Sequence, residues 1–180
     1  MKTLSILGAL AAALFFSASA GAQALPTATA AGGLQIGIGY SYDKPDYGPN
    51  AWQGFTAFGD YDLSPHVGVE GDIHYIDIIT PVDLAQNSYL IGPRFIYPHG
   101  RLKFYAKGLV GMGDMVAQET QDNQGAYIGS FFAYSLGGGV DYIANHHIVI
   151  RAIDMEYQHW SYLNGLTPTV FTAGIGYRFR

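Results

Sequence analysis

Beyond residue 33 the chain alternates apolar and polar residues with a period of two, the signature of an extended strand, whose successive side chains point to opposite faces. Ile36, Ile38, Tyr40 and Tyr42 share one face, and Gly37, Gly39 and Ser41 the other. Val67, Val69, Ile73 and Tyr75 oppose Glu70, Asp72 and His74. Tyr89, Ile91, Phe95 and Tyr97 oppose Gly92 and Arg94, and Phe171, Ala173, Ile175, Tyr177 and Phe179 oppose Thr172, Gly174, Gly176 and Arg178. The pattern predicts eight strands: Leu34–Tyr42, Trp52–Leu63, Val67–Ile78, Asn87–Tyr97, Leu102–Met112, Gly129–Ile143, His147–Trp160 and Thr169–Phe179. Most are longer than the 5–6 residues usual in globular sheets and suit a tilted crossing of a bilayer.

The connections alternate in length. Ser64-Pro65-His66, Pro98-His99-Gly100-Arg101 and Ala144-Asn145-His146 are short, whereas Asp43–Ala51, Ile79–Gln86, Gly113–Ile128 and Ser161–Pro168 are long. Three short and four long connections are what an all-β, eight-stranded antiparallel up-and-down transmembrane β-barrel requires, with both termini at the short-turn rim. Such a barrel belongs in an outer membrane with its termini in the periplasm. Charges near the lipid midplane cost about 2–4 kcal/mol, a direct cause for keeping them on the inward face.

Aromatic residues gather at the strand ends in two belts. Tyr40, Tyr42, Trp52, Tyr75, Tyr89, Phe131, Tyr157, Trp160 and Phe171 fall near the long-loop rim, and Tyr61, Tyr97, Phe104, Tyr142, Tyr177 and Phe179 near the short-turn rim. Two positions disturb the alternation. Pro93 lacks a ladder N–H, so a bulge or local break is expected there. Arg151 falls out of phase with Asp154 and Glu156, and one extra residue between them turns all three inward.

The first residues read as an export signal: Lys2, an apolar run from Leu4 to Phe16, and Ala22-Gln23-Ala24 as cleavage site. The expected division is a signal peptide over 1–24 (with Ala18-Ser19-Ala20 as alternative, cutting after 20), a periplasmic lead-in over 25–33 and the barrel over 34–180. The apolar run is too short to span the bilayer. The net charge is −5, and −6 once Lys2 is removed, with no Lys/Arg cluster to meet nucleic acid. There is no cysteine, hence no disulfide, thiolate metal site or lipoprotein acylation. Aromatics at 14 % and 24 glycines suit strands facing lipid on one side and a crowded lumen on the other.

The leader, the strands and the ending Thr172-Ala173-Gly174-Ile175-Gly176-Tyr177-Arg178-Phe179 together resemble the small outer-membrane β-barrel family, which includes the membrane domain of OmpA and the opacity-type surface proteins. The resemblance implies that Gly174, Gly176, Tyr177 and Phe179 belong to a C-terminal signal read by the barrel-assembly machinery, although Arg180 follows where the family stops on the aromatic. Val149-Ile150-Arg151-Ala152-Ile153-Asp154-Met155-Glu156-Tyr157 is similar to the family's penultimate strand.

The inward face collects Asp60, Asp62, Glu70, Asp72, Arg94, Lys103 or Lys107, Asp141, Arg151, Asp154, Glu156 and Arg178. An eight-stranded barrel is just wide enough for side chains to fill, so these charges are expected to pair as a plug. A gated path preferring cations, since acids outnumber bases, is the alternative. A third reading rests on His159-Trp160-Ser161, where a His and a Ser two apart share a strand face. That region resembles the lipid A 3-O-deacylases, but Thr169 to Thr172 offers no acid to orient the His. His146-His147 point to opposite faces and are assigned no metal, and Gly137-Gly138-Gly139 lacks the strand-to-helix context of a phosphate loop. No cofactor is expected. The expectation is a non-enzymatic surface protein whose partners are outer-membrane lipid, the assembly machinery and an extracellular ligand at the loops.

Overall fold

Each run of alternating residues becomes a strand of one sheet that closes on itself. In the computed structural model, which describes residues 32–46, 51–77, 84–117, 126–161 and 165–179, the strands are β1 (Gly33–Lys44), β2 (Trp52–Asp62), β3 (Val67–Asp77), β4 (Leu84–His99), β5 (Leu102–Ala117), β6 (Ala126–Ile143), β7 (Ile148–Trp160) and β8 (Thr169–Arg178). They form a closed barrel in sequence order, every neighbouring pair antiparallel. β1 and β8 complete the circle from Gln35↔Arg178 to Lys44↔Thr169, and Phe179 N–H donates to the Leu34 carbonyl at 2.7 Å. Closure leaves no unpaired edge, which is what allows a sheet to sit in lipid. The leader, Arg180 and the middles of the long connections lie outside the described residues.

Burial follows the period of two. Polar and charged residues lie inside while Ile36, Ile38, Phe55, Ile91, Phe95, Val110, Leu136 and Ile175 are more than half exposed on the outer wall. That inversion of a soluble protein is the lipid-facing pattern. The short-turn belt stands as expected: Tyr61, Tyr97, Phe104, Tyr142, Tyr177 and Phe179 all face outward.

The other belt needs correction. Trp52 and Trp160 are buried inside the barrel, and Phe131 packs against Trp160's cluster; none of the three stands in the outer belt. The reason is parity. Trp160 shares its face with Asp154, Glu156 and Gln158, and Trp52 with Thr56, Phe58 and Asp60, and all of these are inward positions. Strand lengths differ too. β4, β5 and β6 run to 16, 16 and 18 residues, continuing into stretches that read as loop in the sequence. A register shift between Met115 and Val116, opposite Gly129 at φ 147°, lets the β5–β6 ladder continue through polar sequence.

Both irregular positions are visible. The β7 register shifts against both neighbours between Arg151 and Asp154, leaving Ala152 and Ile153 both exposed while Arg151 and Asp154 point inward. At Pro93 the β4–β5 ladder has a gap between the pairs Ile91↔Val110 and Arg94↔Lys107, with no change of register. Proline there interrupts pairing without adding a residue.

Candidate functional site

The lower lumen, toward the short turns, is built around three cations from three strands. Arg94 on β4 reaches Asp60 at 2.7 Å, Glu70 at 3.2 Å and Asp141 at 2.5 Å. Arg151 on β7 reaches Glu70 at 2.9 Å, Asp60 at 3.1 Å, Asp141 at 3.3 Å and Asp154 at 3.4 Å. Lys107 on β5 donates to Asp72 at 2.6 Å and to Glu70 at 2.8 Å, and lies 2.7 Å from both Asp154 and Glu156. Every one of these side chains is almost fully buried. Buried ions are tolerated only when paired and hydrogen-bonded, and each cation here touches at least three carboxylates.

Aromatic rings pack the guanidinium groups. Arg94 lies 3.8 Å above the centre of Tyr105 and Arg151 3.7 Å above Phe58. The Tyr105 hydroxyl donates to Asp154 at 2.5 Å. These rings need space, and glycine provides it: a methyl at Gly139 would lie 2.6 Å from the Tyr105 hydroxyl. Below the cluster, Asp62 accepts from Lys103 at 2.7 Å and from Arg178 at 3.4 Å, forming a smaller, partly exposed group at the short-turn rim. Thus both candidate lysines face the lumen, Lys107 at the centre and Lys103 at the mouth.

Above the cluster the character changes. Glu156 is 3.2 Å from His74 Nε2, whose Nδ1 is 2.6 Å from the Thr56 hydroxyl. Thr56 bonds Ser41, which lies 2.8 Å from the Thr172 hydroxyl. This seam lines β1, β2, β3 and β8. Across from it Trp160, Leu90, Leu109, Met115 and Ala133 form an apolar cluster with Phe131 and Leu166. Trp160 Nε1 donates to Gln158 at 2.9 Å, so even the indole N–H is satisfied. A methyl at Gly113 would lie 2.5 Å from the Trp160 ring, so that glycine makes room for the indole. Ionic cluster, hydroxyl seam and apolar cluster thus all lie on the inward face of the barrel. His74, Gln35, Tyr105, Thr56 and Gln158 were not in the expected lumen charge network; the available signal was their parity with an inward residue on the same strand, respectively Asp72, Ser41, Lys107, Asp60 and Glu156.

His159 is a different case. Its ring lies 5.0 Å from Tyr134 at a tilt of 35° on the outer wall, and Gly165 crowds it from the loop. Ser161 N–H donates to the Phe132 carbonyl. Among the described residues no carboxylate reaches His159, so the orienting acid that nucleophilic catalysis requires is not brought to it. Asp72, His74 and Glu156 offer ligand atoms within 4.8 Å of one another. The Lys107 ammonium, however, is already paired with two of the three, Asp72 at 2.6 Å and Glu156 at 2.7 Å.

Closed up-and-down topology, a lipid-facing apolar wall and an ion-paired interior define a small membrane barrel of the outer-membrane type. The family model described as outer membrane protein beta-barrel domain matches residues 8–179, and the chain belongs to that family. Among solved structures it is similar to Ail, the attachment invasion locus protein of Yersinia pestis, in complex with the heparin analogue sucrose octasulfate: 25% identity, 83% of this chain and 99% of that chain covered, TM-score 0.58. Neisserial surface protein A (10% identity, 82% and 96% covered, TM-score 0.64) and OprG from Pseudomonas aeruginosa (15%, 83% and 97%, TM-score 0.56) share the fold. A search of curated proteins returns no match.

Proposed function

We propose that this protein is a surface scaffold of the outer membrane, a closed barrel that presents four long loops for contact outside the cell. The observation that carries the reading is the ion-paired interior. Arg94, Lys107 and Arg151 tie β2, β3, β4, β5, β6 and β7 together across the bore, and Trp160 packs into an apolar cluster above them. Chemistry available to partners is then confined to the rims. In this reading residues 1–24 are removed on export, 25–33 lead in from the periplasm, both barrel termini are periplasmic, and Gly174 to Phe179 guide insertion by the assembly machinery.

Loop charge narrows the kind of partner. Apart from Asp43, which is buried at the end of β1, the four long connections carry Asp46, Asp83, Asp114, Glu119 and Asp122 against the single base Lys44. Asp46 accepts from both the backbone N–H and the hydroxyl of Thr167, joining the first and last long connections. An acidic face of this kind suits cationic or neutral ligands and disfavours a polysulfated one such as Ail's. Planar-bilayer recording of the refolded barrel is expected to show no steady conductance, and cells displaying it are expected to bind no more labelled heparin than cells without it. Steady conductance would overturn the closed-scaffold reading, and heparin capture the charge argument.

A narrow cation-preferring path is the second reading. It is favoured by six carboxylates contacting three fixed cations within the plug. Conductance with a reversal potential favouring potassium over chloride would establish it in place of the first.

A further inference from the structure

The short-turn rim carries a charge pattern that the loops and the plug do not use. Four of the six histidines lie at the three short connections: His66 between β2 and β3, His99 at the end of β4 before β5, and His146 and His147 between β6 and β7. All four are exposed, as is Arg101. No exposed acid accompanies them among the described residues of this rim. Its one carboxylate, Asp62, is buried and held between Lys103 and Arg178. The described residues of the rim, Arg101, Lys103, Arg178 and Asp62, therefore carry two net positive charges with its imidazoles neutral, and six with all four protonated.

These groups sit directly beneath the outward aromatic belt. His66 immediately precedes the outward Val67, and His99 follows Tyr97 by two residues, which at about 3.3 Å per residue keeps both within one headgroup's reach of the belt. The His147 ring stacks on Tyr177 at 5.3 Å and 6°, and Tyr177 meets Phe179 at 4.9 Å. His147 Nδ1 lies 3.2 Å from the Arg178 carbonyl, which fixes the imidazole against the belt. Aromatic rings of such belts occupy the headgroup zone, so the charges beside them lie at the depth of lipid phosphates.

We propose that the short-turn rim is a docking surface for anionic phospholipid headgroups, and that its hold on them strengthens as the histidine ring gains charge. Imidazole is the side chain that changes charge between pH 8 and 5, and cations near a membrane surface attract anionic lipid with appreciable energy per charge. The charged groups at the neighbouring strand ends are Arg101, Lys103, Arg178 and Asp62, and among the described residues Asp62 is the acid of this rim. The proposal does not depend on which way the barrel points, because either leaflet presents phosphates at that depth. It is independent of the lumen and loop reading above.

The test uses the full barrel refolded in phosphatidylcholine bilayers with spin-labelled phosphatidylglycerol or phosphatidylcholine, reading the relative association of each lipid with the protein by electron paramagnetic resonance. Phosphatidylglycerol is expected to be preferred on the order of fivefold at pH 5.5, with the preference falling at pH 8 and in high salt. The combined variant His66→Gln, His99→Gln, His146→Gln, His147→Gln is expected to lose the pH dependence and keep the preference seen at pH 8. Arg101→Gln is expected to lower the preference at both pH values and keep the pH dependence. Heat-modifiable migration on a denaturing gel verifies that each variant is folded. Equal association of the two lipids at pH 5.5, or pH dependence that survives in the four-histidine variant, would overturn the proposal.

Discussion

The two levels of the lumen are held together by opposite physics. The lower level is ionic: Lys107 alone touches Glu70, Asp72, Asp154 and Glu156, from β3 and β7. The upper level on the β4–β7 side is apolar, with Trp160 wholly buried among Leu90, Leu109, Met115 and Ala133. In the ionic level each member depends on partners of opposite sign, so removing one leaves a charge with no solvent to accept it. In the apolar level the loss of a side chain costs transfer energy and a cavity, and neighbours relax around the gap. The ionic level specifies who sits opposite whom. The apolar level specifies mainly how much volume is filled.

The sharpest way to separate the levels is Lys107→Met, which keeps volume and deletes the charge. It is expected to destabilise the barrel by about 3–5 kcal/mol, measured by urea unfolding in lipid vesicles with folded fraction read from heat-modifiable migration. A cost under 1 kcal/mol would mean the carboxylates reorganise without their cation, and the contrast would collapse. Trp160→Ala is next, at about 3 kcal/mol from the cavity left in the apolar level. The same unfolding assay checks it, and retained closure to ions in bilayer recordings is expected because the ionic level is untouched. Gly113→Ala presses a methyl against the Trp160 ring and is expected to cost about 1–2 kcal/mol, with a shift in tryptophan emission reporting the displaced indole. His159→Ala is the smallest, within about 0.5 kcal/mol, since its ring lies on the outer wall against Tyr134 and joins neither level. A larger cost would show that the His159–Gly165 contact anchors the long-loop rim.

Much of the lower level was legible in the chain because parity is a local property. Asp60, Glu70, Asp72, Arg94, Lys107, Asp141, Arg151, Asp154 and Glu156 follow from alternation within single strands, and all stand in the lumen. The extra residue between Arg151 and Asp154 was legible for the same reason: without it one charge would face lipid. Trp52 and Trp160 were misplaced because their residue type, common in interfacial belts, was weighed above their parity with Thr56 and Glu156. The long reach of β4, β5 and β6 was hidden by polar composition beyond Met112, since a ribbon above the membrane needs no apolar face.

Period-two alternation, the rhythm of short and long connections and the absence of any long apolar run determined by themselves that this chain forms an eight-stranded barrel, because each lipid-facing residue must be apolar wherever in the barrel it sits. Which charges meet was decided only by closure. Arg151 and Asp60 are 91 residues apart and bond across the bore, and Lys107 joins β3 to β7. Those contacts depend on strand stagger and bore width, which are properties of the closed sheet and are encoded in no single strand.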